Sequence, residues 1–93
     1  MEKEIYLITH IMRSKNRKAI LKSLESRTKT QAELHKITKM YRTHVRRSLN
    51  ELIDKRLVVC LNPKDRIFKL YEITQKGKRI LKKVDEIKKV NSN

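Results

Sequence analysis

The sequence has 93 residues, with 25 Lys+Arg against 10 Asp+Glu and a formal charge of +15. That length suits one domain, since domains commonly run to about 100–150 residues, and no apolar run reaches the roughly 18 residues that a membrane span requires. The opening stretch, MEKEIYLITHIMRSKNRK, lacks the basic start, continuous apolar centre and small-residue cleavage site of a secretory signal, so a cytoplasmic protein is expected, with no membrane partner.

One Gly and one Pro favour helices joined by tight connections. Ile5, Ile8, Ile11 and Met12 recur on one helical face, with Leu7 beside it. Ser14 or Asn16 then reads as an N-cap restarting a helix over 15–26, with Ala19, Ile20, Leu21 and Leu24 inward. The pattern leaves open one bent helix over 3–26 or two. After a polar link, Arg27-Thr28-Lys29, the run Thr30-Gln31-Ala32-Glu33 forms a capping box, in which the Thr30 hydroxyl and the Glu33 carboxylate satisfy each other's backbone amides. The brief helix it opens has Ala32, Leu34 and Ile37 as apolar positions. Lys39-Met40-Tyr41 breaks the chain, and a longer helix runs from about 42 to 55, with Val45, Leu49, Leu52 and Ile53 at i, i+4, i+7 and i+8. Two such helices across a short turn, at about 30–55, describe a helix-turn-helix.

The period then changes. Leu57 to Leu61 is a β-prone run, Asn62 to Arg66 a turn and Ile67 to Ile73 a returning strand, giving a hairpin with a basic tip at about 57–73. Thr74 caps a last helix to about Val90, whose apolar stripe is Ile80, Leu81, Val84, Ile87 and Val90. The fold class is mainly α with a β-hairpin: a three-helix core, a two-stranded hairpin and a C-terminal helix, all in one domain over 1–93.

Charge is unevenly placed. Residues 13–47 hold twelve basic side chains against two acidic ones, Glu25 and Glu33, a net +10. Such a one-sided field draws phosphate backbones, where a merely solubilising surface intersperses both signs. If Val45, Leu49, Leu52 and Ile53 face the core, Thr43, Arg47 and Asn50 point away from it, flanked by Arg42, His44 and Arg46. Each arginine can donate bidentate bonds to guanine or clamp a phosphate. Arg47 and Arg42 are assigned to bases and Arg46 to either role. Thr30 and Gln31 open a helix whose start favours a phosphate. Lys39 adds charge at the turn, and Tyr41 either contacts the backbone or plugs the turn. Lys64, Arg66 and Lys69, at the hairpin tip, reach a minor groove or flanking phosphates.

Together these residues resemble a winged helix-turn-helix of the ArsR/MarR-like type, the small archaeal transcription regulators in particular. The resemblance rests on Arg13-Ser14-Lys15-Asn16-Arg17 before Ile20-Leu21, Thr30-x-x-Glu33-Leu34, His44-Val45-x-x-x-Leu49-x-x-Leu52, Leu57-Val58, and Leu70-Tyr71-x-Ile73-Thr74-x-x-Gly77, over roughly residues 11–82. It departs from that pattern at Lys39, where the family's turn carries Gly, and at Tyr41, where its recognition helix starts from Ser or Thr. The resemblance implies a sequence-specific, double-stranded-DNA-binding regulator, most simply a repressor, associated with the nucleoid. The rivals are an architectural DNA-coating protein and a winged-helix protein-interaction module.

No enzyme chemistry, cofactor or small-molecule ligand is indicated: there is no Gly-rich phosphate loop, nucleophile–base pair or clustered carboxylate. His10, His35, His44 and Cys60 match no zinc-ligand spacing, so no metal is expected. The lone Cys60 excludes an internal disulfide and reads as a strand filler. The terminal helices offer Ile5, Ile8, Met12, Ile80, Val84 and Ile87 either for pairing across a two-fold axis in a homodimer or for packing on one another in a monomer.

Overall fold

A computed structural model describes residues 3–91, with side chains for residues 3–87. In chain order it comprises α1 (Glu4–Met12), α2 (Lys15–Ser23), β1 (Lys29–Thr30), α3 (Gln31–Thr38), α4 (Arg42–Asp54), β2 (Val58–Cys60), β3 (Leu70–Ile73) and α5 (Gln75–Asn91). The strands form an antiparallel sheet in the order β1-β3-β2. The fold is a winged helix.

The first helical stretch is two helices. Ser14 is extended (φ −134°, ψ 113°) and its hydroxyl accepts from the Arg17 amide at 3.1 Å, so the second helix starts anew. It ends at Ser23, three residues short of the expected Ser26. Arg17 joins three helices. Its Nε donates to the His10 carbonyl on α1 at 2.8 Å, and its guanidinium pairs with Glu51 on α4 at 3.3 Å.

Buried Leu7, Ile8 and Ile11 of α1, Ile20, Leu21 and Leu24 of α2, Leu34 of α3, and Val45, Leu49 and Leu52 of α4 build most of the core. Ile80, Leu81 and Val84 close it from α5, and each fully buried side chain contributes roughly 1.5–3 kcal/mol. Four expected inward residues lie elsewhere. Ile5 and Met12 stay about half exposed, because α1 turns Leu7 inward with Ile8 and Ile11. Ala32 and Ile37 of α3 are also exposed, and Met40 beyond the turn packs against the core. Ala19, Ile53 and Cys60 are half-buried. Val90 lies outside the described side chains.

The sheet departs from the expected hairpin in two ways. The link before α3 contributes a third strand, pairing Lys29 with Tyr71 and Thr30 with Leu70. Lys29 is only 5% exposed, and its ammonium donates to the Ser23 carbonyl and, at 3.2 Å, to the Ser26 hydroxyl. Burial holds its pKa below the ordinary lysine value, with the nearby Arg27 charge adding to the shift. The hairpin strands are also shorter than the apolar pattern suggested, leaving 61–69 as a loop. Side chains replace ladder bonds there: the Asn62 amide donates to the Phe68 carbonyl at 2.6 Å and accepts from the Leu70 amide at 2.7 Å.

The recognition-length helix ends in a Schellman turn. Arg56 takes a left-handed conformation (φ 60°) while the Leu57 amide reaches back to the Leu52 carbonyl and the Arg56 amide to Ile53, both at 2.9 Å. The Thr74 hydroxyl donates to the Arg56 carbonyl at 2.8 Å and accepts from the Gly77 amide at 2.9 Å, so one side chain links that turn to the start of α5. Glu4 of α1 accepts from Arg79 at 2.9 Å and from Lys83, tying the first helix to the last.

Candidate nucleic-acid interface

The surface of interest is built on α3 and α4. The capping box forms as expected: the Thr30 hydroxyl accepts from the Glu33 amide at 3.1 Å and the Glu33 carboxylate from the Thr30 amide at 3.0 Å. Arg27 donates to the same carboxylate at 2.8 Å and, with the Thr30 amide, holds Glu33 below the usual carboxylate range. A carboxylate thus already occupies the opening of α3, narrowing what Thr30 and Gln31 offer a phosphate to the amides that the box leaves unused.

The turn is made without glycine. Lys39 itself adopts the left-handed conformation (φ 61°, ψ 15°), and its amide closes onto the His35 carbonyl at 2.9 Å. The His35 Nδ1–H donates to the Met40 carbonyl at 2.6 Å, bracing the turn from within. Tyr41 is the N-cap of α4 and supplies no side-chain bond, and the first turn holds no acid, so the positive end of the helix dipole is uncovered. Tyr41 does not plug the turn: it is 76% exposed, with the half-buried His44 ring edge-on at 5.7 Å.

Along α4 the amphipathic split is clean. Val45, Ser48, Leu49 and Leu52 are buried, whereas Arg42, Thr43, Arg46, Arg47 and Asn50 are exposed. Among the described residues no carboxylate holds Arg42, Arg46 or Arg47. Four of the acids are engaged elsewhere: Glu51 by Arg17, Glu33 by Arg27, Asp85 by Lys22 at 3.0 Å and Glu4 by Arg79 and Lys83. Burial pushes the Tyr71 hydroxyl of β3 up, while the positive charge of Arg46 acts in the opposite direction.

Lys64, Arg66 and Lys69 all lie exposed on the 61–69 loop. A groove of about 190 Å³ runs between this loop and the start of α3, with Thr30, Gln31, Arg66 and Lys69 among its walls. The same loop exposes Ile67 and Phe68, which the strand pattern had placed in a β-ladder. The signal that could have found them is the spacing of Asn62 and Asp65, two side chains able to take over backbone bonds.

Of the six terminal-helix residues considered for pairing, Ile8, Ile80 and Val84 are buried in the core of a single chain. Ile87 packs partly against that core, and Ile5 and Met12 are exposed on α1. Among the described residues no group of three His, Cys, Asp or Glu could hold a metal ion, and no described helix is long and apolar enough to cross a membrane.

Residues 6–93 match the family described as the HVO_A0261 N-terminal domain. The chain belongs to that family. No curated protein matches it in sequence. Among solved structures, the chain is similar to the transcriptional regulator BldR from Sulfolobus solfataricus, at 25% identity and a TM-score of 0.73, covering 82% of this chain and 55% of that one. It is similar to the MarR family transcription regulator SP03579, at 26% identity and a TM-score of 0.70, over 83% and 54% of the two chains. A cysteine mutant of MarR from E. coli aligns at 22% identity and a TM-score of 0.74, over 90% and 66%. The fold is therefore that of the MarR-family winged-helix regulators, and the chain spans little more than half the length of the first two neighbours.

Proposed function

We propose that the chain binds double-stranded DNA sequence-specifically and regulates transcription, most simply as a repressor that occupies its site and excludes the transcription machinery. The observation that carries this reading is the exposed face of α4, where Arg42, Arg46 and Arg47 stand clear of every described carboxylate. Three free guanidiniums on a rigid helix with an uncapped start are what a major groove receives. Arg47 and Arg42 read bases, Arg46 a base or a phosphate, and Thr43 and His44 complete the reading face. Thr30, Gln31, Lys39, Tyr41 and Asn50 serve the backbone, and Lys64, Arg66 and Lys69 the flanking groove. Residues 1–93 act as one domain, in the cytoplasm and on the nucleoid.

The working form is a homodimer, with two α4 helices about 34 Å apart on an inverted repeat. Ile5 and Met12 are exposed apolar residues of α1 that a second copy would cover, and Ile87 on α5 is only partly buried against the core. The +15 charge of so small a unit makes added apolar burial worthwhile. Selection from random duplexes at near-physiological salt, followed by sequencing, tests the reading. An enriched palindrome supports it; flat enrichment favours an architectural DNA-coating protein, and no retention a protein-interaction module.

A further inference from the structure

The wing carries its two most exposed large apolar side chains side by side, Ile67 at 79% and Phe68 at 68%. The loop that presents them is fixed from inside. The Asp65 Oδ1 accepts from the amides of both residues, at 2.8 and 2.9 Å, and the Asn62 amide donates to the Phe68 carbonyl. Those two amides hold the Asp65 carboxyl below its ordinary range. The only acid of the loop is thus turned onto its own backbone, while Lys64, Arg66 and Lys69 lie exposed on the same loop, the last two lining one groove with the apolar pair.

Two bulky apolar groups with cations beside them, lining the groove between the loop and the start of α3, suit a partner with anions outside and apolar faces within. A duplex offers both: phosphates line the groove edges, and base faces open when a step is unstacked. Resting on the DNA-binding reading above, we propose that Ile67 and Phe68 form an apolar wedge that enters the minor groove beside the α4 site, partly unstacks one base step and kinks the duplex. The cations hold the groove walls, and the Asp65 turn spares the tip the ordering cost of insertion.

The test uses a duplex carrying the selected site, labelled at both ends for energy transfer and holding 2-aminopurine in the flanking steps. The full chain is expected to shorten the end-to-end distance as a kink of roughly 20–90° would, and to raise 2-aminopurine emission. Phe68→Ala, which removes an exposed ring and leaves the core intact, should abolish both signals and weaken binding about tenfold, with the salt slope unchanged. Phe68→Leu should retain the kink. Lys64→Ala should do the opposite of the alanine variant, lowering the salt slope and keeping the kink. Binding to a straight duplex with silent 2-aminopurine, or a kink that survives the Ile67→Ala/Phe68→Ala double change, overturns the wedge alone and leaves the pair to a protein partner. No binding to any duplex overturns the DNA-binding reading, and the wedge with it.

Discussion

Gly77 lies so close to the carbonyl of Leu57 that a Cβ built on it would stand 2.2 Å from that oxygen and 2.8 Å from the Ile73 side chain. The contact is backbone against backbone, with no flexible tip to give way. It seats the first turn of α5 on the exit from α4, where Thr74 bonds both sides of the junction. Gly77→Ala is expected to push α5 outward and destabilise the fold by about 1–3 kcal/mol. A lower urea midpoint with an unchanged m-value would register it; an unchanged midpoint would mean that the junction is slack.

The turn before α4 invites the reverse experiment. Lys39 holds a left-handed conformation that costs a residue with a Cβ about 1–2 kcal/mol. Lys39→Gly should recover part of that, a net gain of about 0.5–1 kcal/mol after the extra freedom of glycine in the unfolded chain. Thermal unfolding checks the sign. A loss would place the Lys39 side chain in a compensating contact.

The capping box predicts a loss. Thr30→Ala removes the hydroxyl that accepts from the Glu33 amide and should cost about 1 kcal/mol. Thr30→Ser should restore most of it. Denaturation curves of the three proteins decide the matter.

Acid should loosen the clasp between the two terminal helices. The hydrogen bonds from Lys83 and then Arg79 lower the Glu4 pKa from its usual 4.5. A depressed carboxylate pKa contributes stability above the unfolded value, lost as pH falls through the lower folded value. Glu4→Gln should therefore be less stable than the parent at neutral pH and converge with it in acid. The gap should also shrink with added salt, because the groups are exposed. Midpoints across pH 2–7 test this, and a gap that persists in acid would assign the effect to packing.

On DNA, the arginines and the wing lysine separate by readout. Arg47→Ala should relax preference at one base position, at about 1–3 kcal/mol, whereas Lys64→Ala should weaken all duplexes alike and lower the salt slope by about one. Selection profiles and salt titrations of both variants check the assignment. An unchanged selected site for Arg47→Ala would remove that residue from base reading.

Much of the fold was legible because its signals are local. The Thr30–Glu33 box, the Thr74 cap and the i, i+4, i+7 spacing of Val45, Leu49 and Leu52 each depend on neighbours within two turns, while the second helix's cap lay between Ser14 and Asn16 until the structure showed Ser14. The exposed face of α4 followed from its buried one. What escaped depends on partners far along the chain or on side chains imitating backbone. Lys29 reads as a solvated link until Tyr71 pairs with it and Ser23 takes its ammonium. Ile67 and Phe68 alternate like strand residues, but Asn62 and Asp65 capture the bonds that a ladder would need. The apolar stripes of α1 and α5 suited either an internal contact or a second copy, and nothing in their spacing distinguishes a stripe facing home from one facing out. Ile8, Ile80 and Val84 face home.

Arg17 gives the molecule a mechanical property. By holding the His10 carbonyl with one nitrogen and Glu51 with another, it links the first two helices to the last turn of α4. One side chain thus couples the amino-terminal half to the far end of α4. Losing it would release three helices from one another at a single point.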